Sequence, residues 1–286
     1  MAIGFGLVTA SILAVASVGL TLQFGITNYI NFAYGDFMTL GAYIAWQFNT
    51  ALNANIWLAM VAASIAMGIV AVLFNRLLLA PFTRRFPDLF SILIVTFALS
   101  LILLNVIQAI WGPTFRQYQI PQENPMTLGP FLLTGTQLII IGISAGLMLA
   151  VQLLLTRTKL GKAMRAMSDN ASLAEVTGID TARITTITWF LTGILAGLAG
   201  TILGVNISSI TPSTGETFLF VIFAAVILGG IGKPSGAMLG ALIIGLATEV
   251  SAIFINSAYK LDVAFALLIV VLLLRPQGLI AAIGKA

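Results

Sequence analysis

The stretch LFSILIVTFALSLILLNVIQAIW, residues 89–111, contains no Lys, Arg, Asp or Glu. A hydrocarbon core of roughly 30 Å takes about 20 helical residues to cross, so this run reads as one membrane span. Similar apolar runs lie at 2–24, 36–52, 56–79, 136–156, 185–207, 236–256 and 260–275. A shorter one at 217–231 either crosses or dips back. The expected fold is all-α: a polytopic transmembrane helical bundle with eight or nine spans and one or two broken helices. Composition agrees, since 59% of the 286 residues are hydrophobic and only 8% charged. Soluble domains carry roughly 25% charged residues, so this chain could not solvate a surface. Residues 1–286 are expected to form a single transmembrane domain. No basic leader precedes the first apolar run, so 2–24 is expected to stay as a span.

The charges are confined to short segments between the runs. Arg76, Arg84, Arg85, Arg157, Lys159, Lys162, Arg165, Arg183, Lys233, Arg275 and Lys285 fall in the segments 76–88, 157–184, 230–235 and 275–286. Alternating spans put these segments on one side and leave Arg116 and Lys260 on the other. By the positive-inside rule the first side is cytoplasmic. A cytoplasmic C-terminus follows, and an external N-terminus if there are nine crossings. The segment 112–135, with Gly112, Pro113, Pro121, Pro125, Gly129 and Pro130, reads as the main external loop, either a plain connector or a docking surface.

Several chemistries are excluded. The sequence has no Cys and no His, which removes thiol catalysis, Cys-ligated zinc and any histidine base. A phosphate loop needs Gly-x-x-x-x-Gly-Lys-Ser/Thr. Around Gly232-Lys233 the first glycine position is Ile227 and Pro234 follows the lysine. Basic residues scattered over loops do not make a nucleic-acid groove.

Two of the carboxylates within the expected spans stand out, Asp36 and Glu249. A carboxylate at membrane depth is costly, so it faces a cavity or a partner. Gln23, Thr27, Asn28 and Asn31 surround Asp36 in sequence, and Gly25 and Gly35 weaken the helix there. Two readings stand: a helix broken at mid-membrane depth with free backbone groups lining a route, or a short surface loop capped by Asp36. The candidate pathway residues are Gln23, Asn28, Asn31 and Asp36. The Gly-rich stretch 228–240 is a second candidate break, or a tight turn at Lys233-Pro234. Glu249 is expected to snorkel or to pair with a neighbouring helix. Small residues four apart are expected to be helix-packing faces: Gly193/Gly197, Gly200/Gly204, Gly142/Gly146 and Ala237/Ala241/Gly245.

Between Arg157 and Asp180 the apolar residues Leu160, Ala163, Met164, Met167, Ala171 and Ala174 recur at helical spacing, with Lys162, Arg165, Asp169 and Asn170 off the stripe. This predicts a small amphipathic helix pair ended at Gly178, set into a partner's groove or lying on anionic lipid.

Three stretches together resemble the permease subunits of bacterial ABC importers for branched-chain amino acids. They are Gly19–Leu22 through Asn31–Asp36; Gly161 to Asp180, with Arg165-Ala166, Asn170 and Gly178-Ile179; and Val226–Gly232 followed by Pro234, Gly236 and Ala237. The resemblance implies a multi-pass permease of the bacterial inner membrane, and not an enzyme. A second permease subunit, two ATP-binding subunits that hold ATP and Mg, and an external solute-binding protein would complete it. Membrane lipid is the remaining partner, and the chain itself would carry no cofactor. Segment 157–184 would be the coupling segment, with Gly161, Arg165, Asp169, Asn170 and Gly178 serving the ATPase contact. The chain departs from the family at Tyr34 and Asp36, where His and Glu are frequent, which leaves the solute open. The residues also admit a proton-coupled secondary transporter of a small polar solute, working through Asp36 or Glu249. A membrane scaffold has no use for polar groups at a broken helix.

Overall fold

The computed structural model describes residues 2–86, 88–121, 123–128, 131–274 and 278–279. Arg275 and Lys285, two of the charges used above, lie outside the described residues, as do Gly129 and Pro130. The chain is overwhelmingly helical, and among the described residues seven helices are long and apolar enough to cross a membrane. Its helices are α1 (Ala2–Thr27), α2 (Tyr34–Ala51), α3 (Ile56–Phe74), α4 (Ala80–Arg85), α5 (Leu89–Trp111), α6 (Gly135–Arg157), α7 (Lys159–Asp169), α8 (Ala171–Val176), α9 (Thr181–Ile207), α10 (Thr214–Gly229), α11 (Pro234–Ser251) and α12 (Lys260–Leu274). A π-helical turn, Asn75–Leu79, joins α3 to α4.

Short polar side chains start several helices. Asn55, Asp88, Thr158, Asn170 and Asp180 accept backbone N–H groups from Trp57, Ser91, Gly161, Leu173 and Arg183, at 2.8–3.0 Å. The predicted amphipathic pair is α7 and α8. Gly178 follows α8 with φ +88°, a left-handed position that suits glycine.

The chain folds as two compact units interleaved in sequence, one of residues 1–21, 121–153 and 220–286, the other of 22–120 and 154–219. In the first, α11 packs on α1 through Gly245, where a Cβ would meet the Ala10 backbone at 2.5 Å. Glu249 does pair with a neighbouring helix: its Oε2 accepts from Lys260 Nζ at 2.8 Å, and its Oε1 from Thr9 at 3.2 Å. A hairpin of β2 (Met126–Leu128) and β3 (Phe131–Leu133) belongs to this unit too. The Gly-rich stretch 228–240 resolves as the tight turn and not as a break. α10 stays helical to Gly229, a short turn follows, and α11 begins at Pro234, a residue pre-set for a helix start.

The second unit is built on α2, α3 and α9. Here the small-residue faces do pack. A Cβ at Gly193 would strike the Met67 carbonyl at 2.5 Å, and one at Gly200 would fall on the Met38 carbonyl. By contrast Gly142 and Gly146 of α6 have nothing within 4 Å among the described residues, so this pair joins no helix of the chain. Large apolar side chains stand exposed along α3 and α5, including Leu58, Ile65, Ile69, Ile94 and Phe97, as lipid-facing surfaces require. The loop after α5 is more than a connector. Its strand β1 (Arg116–Gln117) pairs antiparallel with β4 (Ser209–Ile210), Arg116 opposite Ile210. Tyr118 Oη donates to the Ala42 carbonyl at 2.8 Å, and Trp46 Nε1 to the Gln117 carbonyl at 2.9 Å.

This packing sets a test. Gly200→Leu should destabilise the purified chain by about 1–3 kcal/mol or more, the range for overpacked cores, whereas Gly142→Leu should leave its thermal midpoint unchanged.

Candidate translocation site

Non-helical backbone between α1 and α2 climbs along α5. Thr27 and Ile92 line the same cavity at the Leu89 end of α5. Thr96 Oγ1 lies 3.5 Å from the Ile30 carbonyl it donates to, and Ser100 donates to Asp36 at 2.5 Å. Ser100 stands midway along α5. The backbone between α1 and α2 is thus non-helical over residues 28–33, and Asp36, 1% exposed, is buried beside the middle of α5.

Its neighbours come from two sources. Asn31 turns the chain: its Oδ1 accepts the Ala33 amide at 3.1 Å and its Nδ2 donates to Gln23 Oε1 at 3.4 Å. Gln23 and Asn31 are both buried. Gln23 Nε2, Asp36 Oδ1 and Tyr34 Oη have no protein partner. Buried polar groups are rarely left so, and these three flank the segment that joins α1 to α2. Asn28 does not join them. It is exposed, has φ +56°, and its amide donates to the Phe24 carbonyl at 2.8 Å, which makes it the left-handed cap of α1.

The second source is a segment the sequence reading passes over. After β4 the chain turns at once: the Thr214 amide donates to the Thr211 carbonyl at 3.1 Å and the Thr211 amide to Thr214 Oγ1 at 2.8 Å. α10 then starts against the start of α2: a Cβ at Gly35 would strike the Gly215 carbonyl at 2.5 Å, and one at Gly215 would fall on the Gly35 carbonyl. Thr39 Oγ1 accepts the Gly215 amide at 2.9 Å and donates to the Gly35 carbonyl at 3.2 Å, clasping the two helix starts. Each first turn carries one carboxylate, Asp36 and Glu216, close enough for Glu216 to act electrostatically on Asp36. Helix N-termini carry partial positive charge. Two of them meeting in an apolar setting repel, and a carboxylate in each first turn offsets that repulsion. Ser100, Thr39, Gly215 and Glu216 were not legible as site residues. The cue available was Pro212 followed by Thr214-Gly215-Glu216 at the head of an unusually short apolar helix.

At the other end, Gly161 is buried where a Cβ would fall on the Leu154 carbonyl, so it lets α7 fold back on the end of α6. Arg165, Asp169 and Asn170 are exposed, and Met164 and Met167 are buried beneath them. Among the described residues no cluster of acids suits a metal ion.

These features define a multi-pass helical membrane permease, with two helices starting head to head at depth. The family model described as "Branched-chain amino acid transport system / permease component" matches residues 2–272, and the chain belongs to that family. It is 32% identical to the probable branched-chain amino acid transport permease protein LivH of Methanocaldococcus jannaschii, over 96% of this chain and 90% of that one. It is 31% identical to the high-affinity branched-chain amino acid transport system permease protein BraD of Pseudomonas aeruginosa, over 96% and 93%. A solved structure, PsaBC from Streptococcus pneumoniae in complex with Fab, superposes with a TM-score of 0.53 at 12% identity, covering 96% of this chain and 91% of that one. That likeness shows the fold alone.

Ser100→Ala should lower stability by about 1–3 kcal/mol, because it removes the partner of a buried carboxylate. Combined with Asp36→Asn the loss should be smaller than the sum of the single effects, read from thermal unfolding of all four forms.

Proposed function

We propose that this chain is one of two permease subunits of an ATP-driven ABC importer. With a second permease it forms the translocation pathway for branched-chain or other small amino acids. The family assignment supports the class, and one observation carries the mechanism: the junction of the α2 and α10 starts, with Asp36, Ser100, Thr39 and Glu216 around it. Counting α2 and α10 beside the seven long apolar helices gives nine crossing or partly crossing segments, two of them broken at mid-membrane depth. Residues 1–286 act as one permease domain, since the two units interleave and no cut in the chain separates them. The side bearing Arg76, Arg84, Arg157 and Arg165 is cytoplasmic by the positive-inside rule, which puts the C-terminus inside the bacterial inner membrane.

A zwitterionic solute has an ammonium and a carboxylate to place. Asp36 and Glu216 offer charge to the first, and the N-terminal dipoles of α2 and α10 to the second. Neither bond is strong in a wet pathway, which suits a route that must release what it accepts. Selectivity then rests with an external solute-binding protein. ATP and Mg belong to two partner ATPase subunits, which meet α7 and α8 at Arg165, Asp169 and Asn170. Gly161 and Gly178 shape that segment and do not touch the partner through side chains. α7 and α8 both pack on α9, which holds α2 at Gly200. A push on the pair therefore reaches the helix that carries Asp36.

Asp36→Asn should cut uptake by the reconstituted complex at least tenfold, about 1.4 kcal/mol in the barrier, with assembly intact. Unchanged uptake would remove Asp36 from the pathway. Vanadate should stop the flux and a protonophore should not; the reverse would identify a proton-coupled carrier. Arg165→Glu should lower solute-stimulated ATP hydrolysis while the complex still co-purifies, and normal stimulation would place α7 on lipid instead.

A further inference from the structure

A cavity of about 700 Å³ opens within the second unit, between the end of α1, the π-helical turn, α4 and the start of α9. Its lining includes Arg76, Arg84 and Arg183, one arginine from each of the last three elements. Asp180 is the acid in the lining, and its Oδ1 is taken as the cap of α9, accepting from the Arg183 amide at 2.9 Å. Among the described residues none of the three guanidiniums pairs with a carboxylate. Of the other arginines, Arg85 lies 5.8 Å from the Phe86 ring centre and Arg116 5.3 Å from that of Trp46, while Arg157 and Arg165 on the same side also form no ion pair among the described residues. Asn75 and Tyr29, both buried, also line the cavity, with five threonines. The lining therefore holds three cations and seven neutral polar side chains against one committed carboxylate.

Three like charges converge on one space only against repulsion, and an anion between them removes the cost. Guanidinium forks match the oxygens of a phosphate in geometry as well as charge. The volume falls within the roughly 300–1,000 Å³ of small-molecule pockets, more than a bare inorganic ion needs. Next to the basic lining the surface turns apolar: Leu77 and Leu78 directly follow Arg76, and Phe90 precedes Ile92 of the lining, all three exposed. A charged recess beside lipid-facing side chains fits a headgroup whose tails run along the helices. We propose that this cavity binds a phosphate-bearing anion through Arg76, Arg84 and Arg183. Its source is an anionic lipid headgroup or a free phosphate. The site is separate from the α2–α10 junction and does not depend on which solute is carried.

The test uses the purified full chain, with the subunits that co-purify, in nanodiscs of phosphatidylcholine with and without phosphatidylglycerol. Native mass spectrometry reads retained lipid, and inorganic phosphate is titrated separately against the thermal midpoint. Wild type should retain phosphatidylglycerol over phosphatidylcholine. The triple change Arg76→Gln, Arg84→Gln and Arg183→Gln should reduce that preference about tenfold or more. The corresponding triple Lys variant should keep part of it, and Arg85→Gln, outside the cavity, should keep all of it. If phosphate raises the midpoint of wild type and not of the Gln variant while no lipid preference is seen, the site stands with a free anion as its ligand. The proposal falls if wild type and the Gln variant respond alike to both probes. It falls equally if the Gln variant loses its ATPase partners with lipid retention unchanged, because the arginines would then be a protein seat.

Discussion

The contact between Gly35 and Gly215 is the constraint on which the rest of the second unit depends. Two helices can start against each other only where neither carries a Cβ, and only if their exposed amides and like dipole ends are accommodated. Thr39 meets the first need and the first-turn carboxylates the second. Once the two starts are fixed, non-helical chain must lead into each of them through membrane depth. Residues 28–33 do so along α5, and the Thr211–Thr214 turn leads from β4 into α10. Irregular backbone at that depth is tolerated only when buried in protein or lining a cavity. Gln23, Asn31, Asp36 and Ser100 are the buried polar side chains beside the first of these segments.

The surrounding helices serve that junction. α9 brings its glycines against α2 and α3, which fixes the direction in which α2 leaves the junction. The loop after α5 ties the far end of α2 through Trp46, Ala42 and Asn49, so the helix is held at both ends. The α7–α8 pair rests on α9, and so on the helix that packs against α2. Glu249 stands apart. Its charge is spent on Lys260 and Thr9, a structural bond across helices of the first unit.

Much of the fold was legible because its signals are local. Apolar length marked the spans, and the period of Leu160, Met164 and Met167 marked α7. Asp36 stood out for its cost in an apolar run, and Asn31 and Gln23 followed from nearness to it. Asn28 instead caps α1; polar residues that cap a helix and those that line a route look alike in sequence. The other half of the site was hidden by distance along the chain. Thr39 and Gly215 are 176 residues apart, and nothing in either stretch names the other. Ser100 is an unremarkable hydroxyl in an apolar helix until Asp36 is placed beside it. The break before α10 was sought too late, at 228–240, because glycine density was taken as its mark. The true cue is the shortness of the apolar run that follows Pro212.

The chain has no cysteine, so one placed at Ser100 reports on the junction without background. The decisive measurement is the rate at which a charged, membrane-impermeant thiol reagent modifies Ser100→Cys in the reconstituted complex. It is taken without nucleotide, with ATP, and with vanadate, each with and without solute. A water-filled route through the α2–α10 junction predicts modification in at least one of these states and slowing by the carried solute. If the thiol is unreactive in every state while the complex still transports, the junction is sealed core and the pathway lies elsewhere.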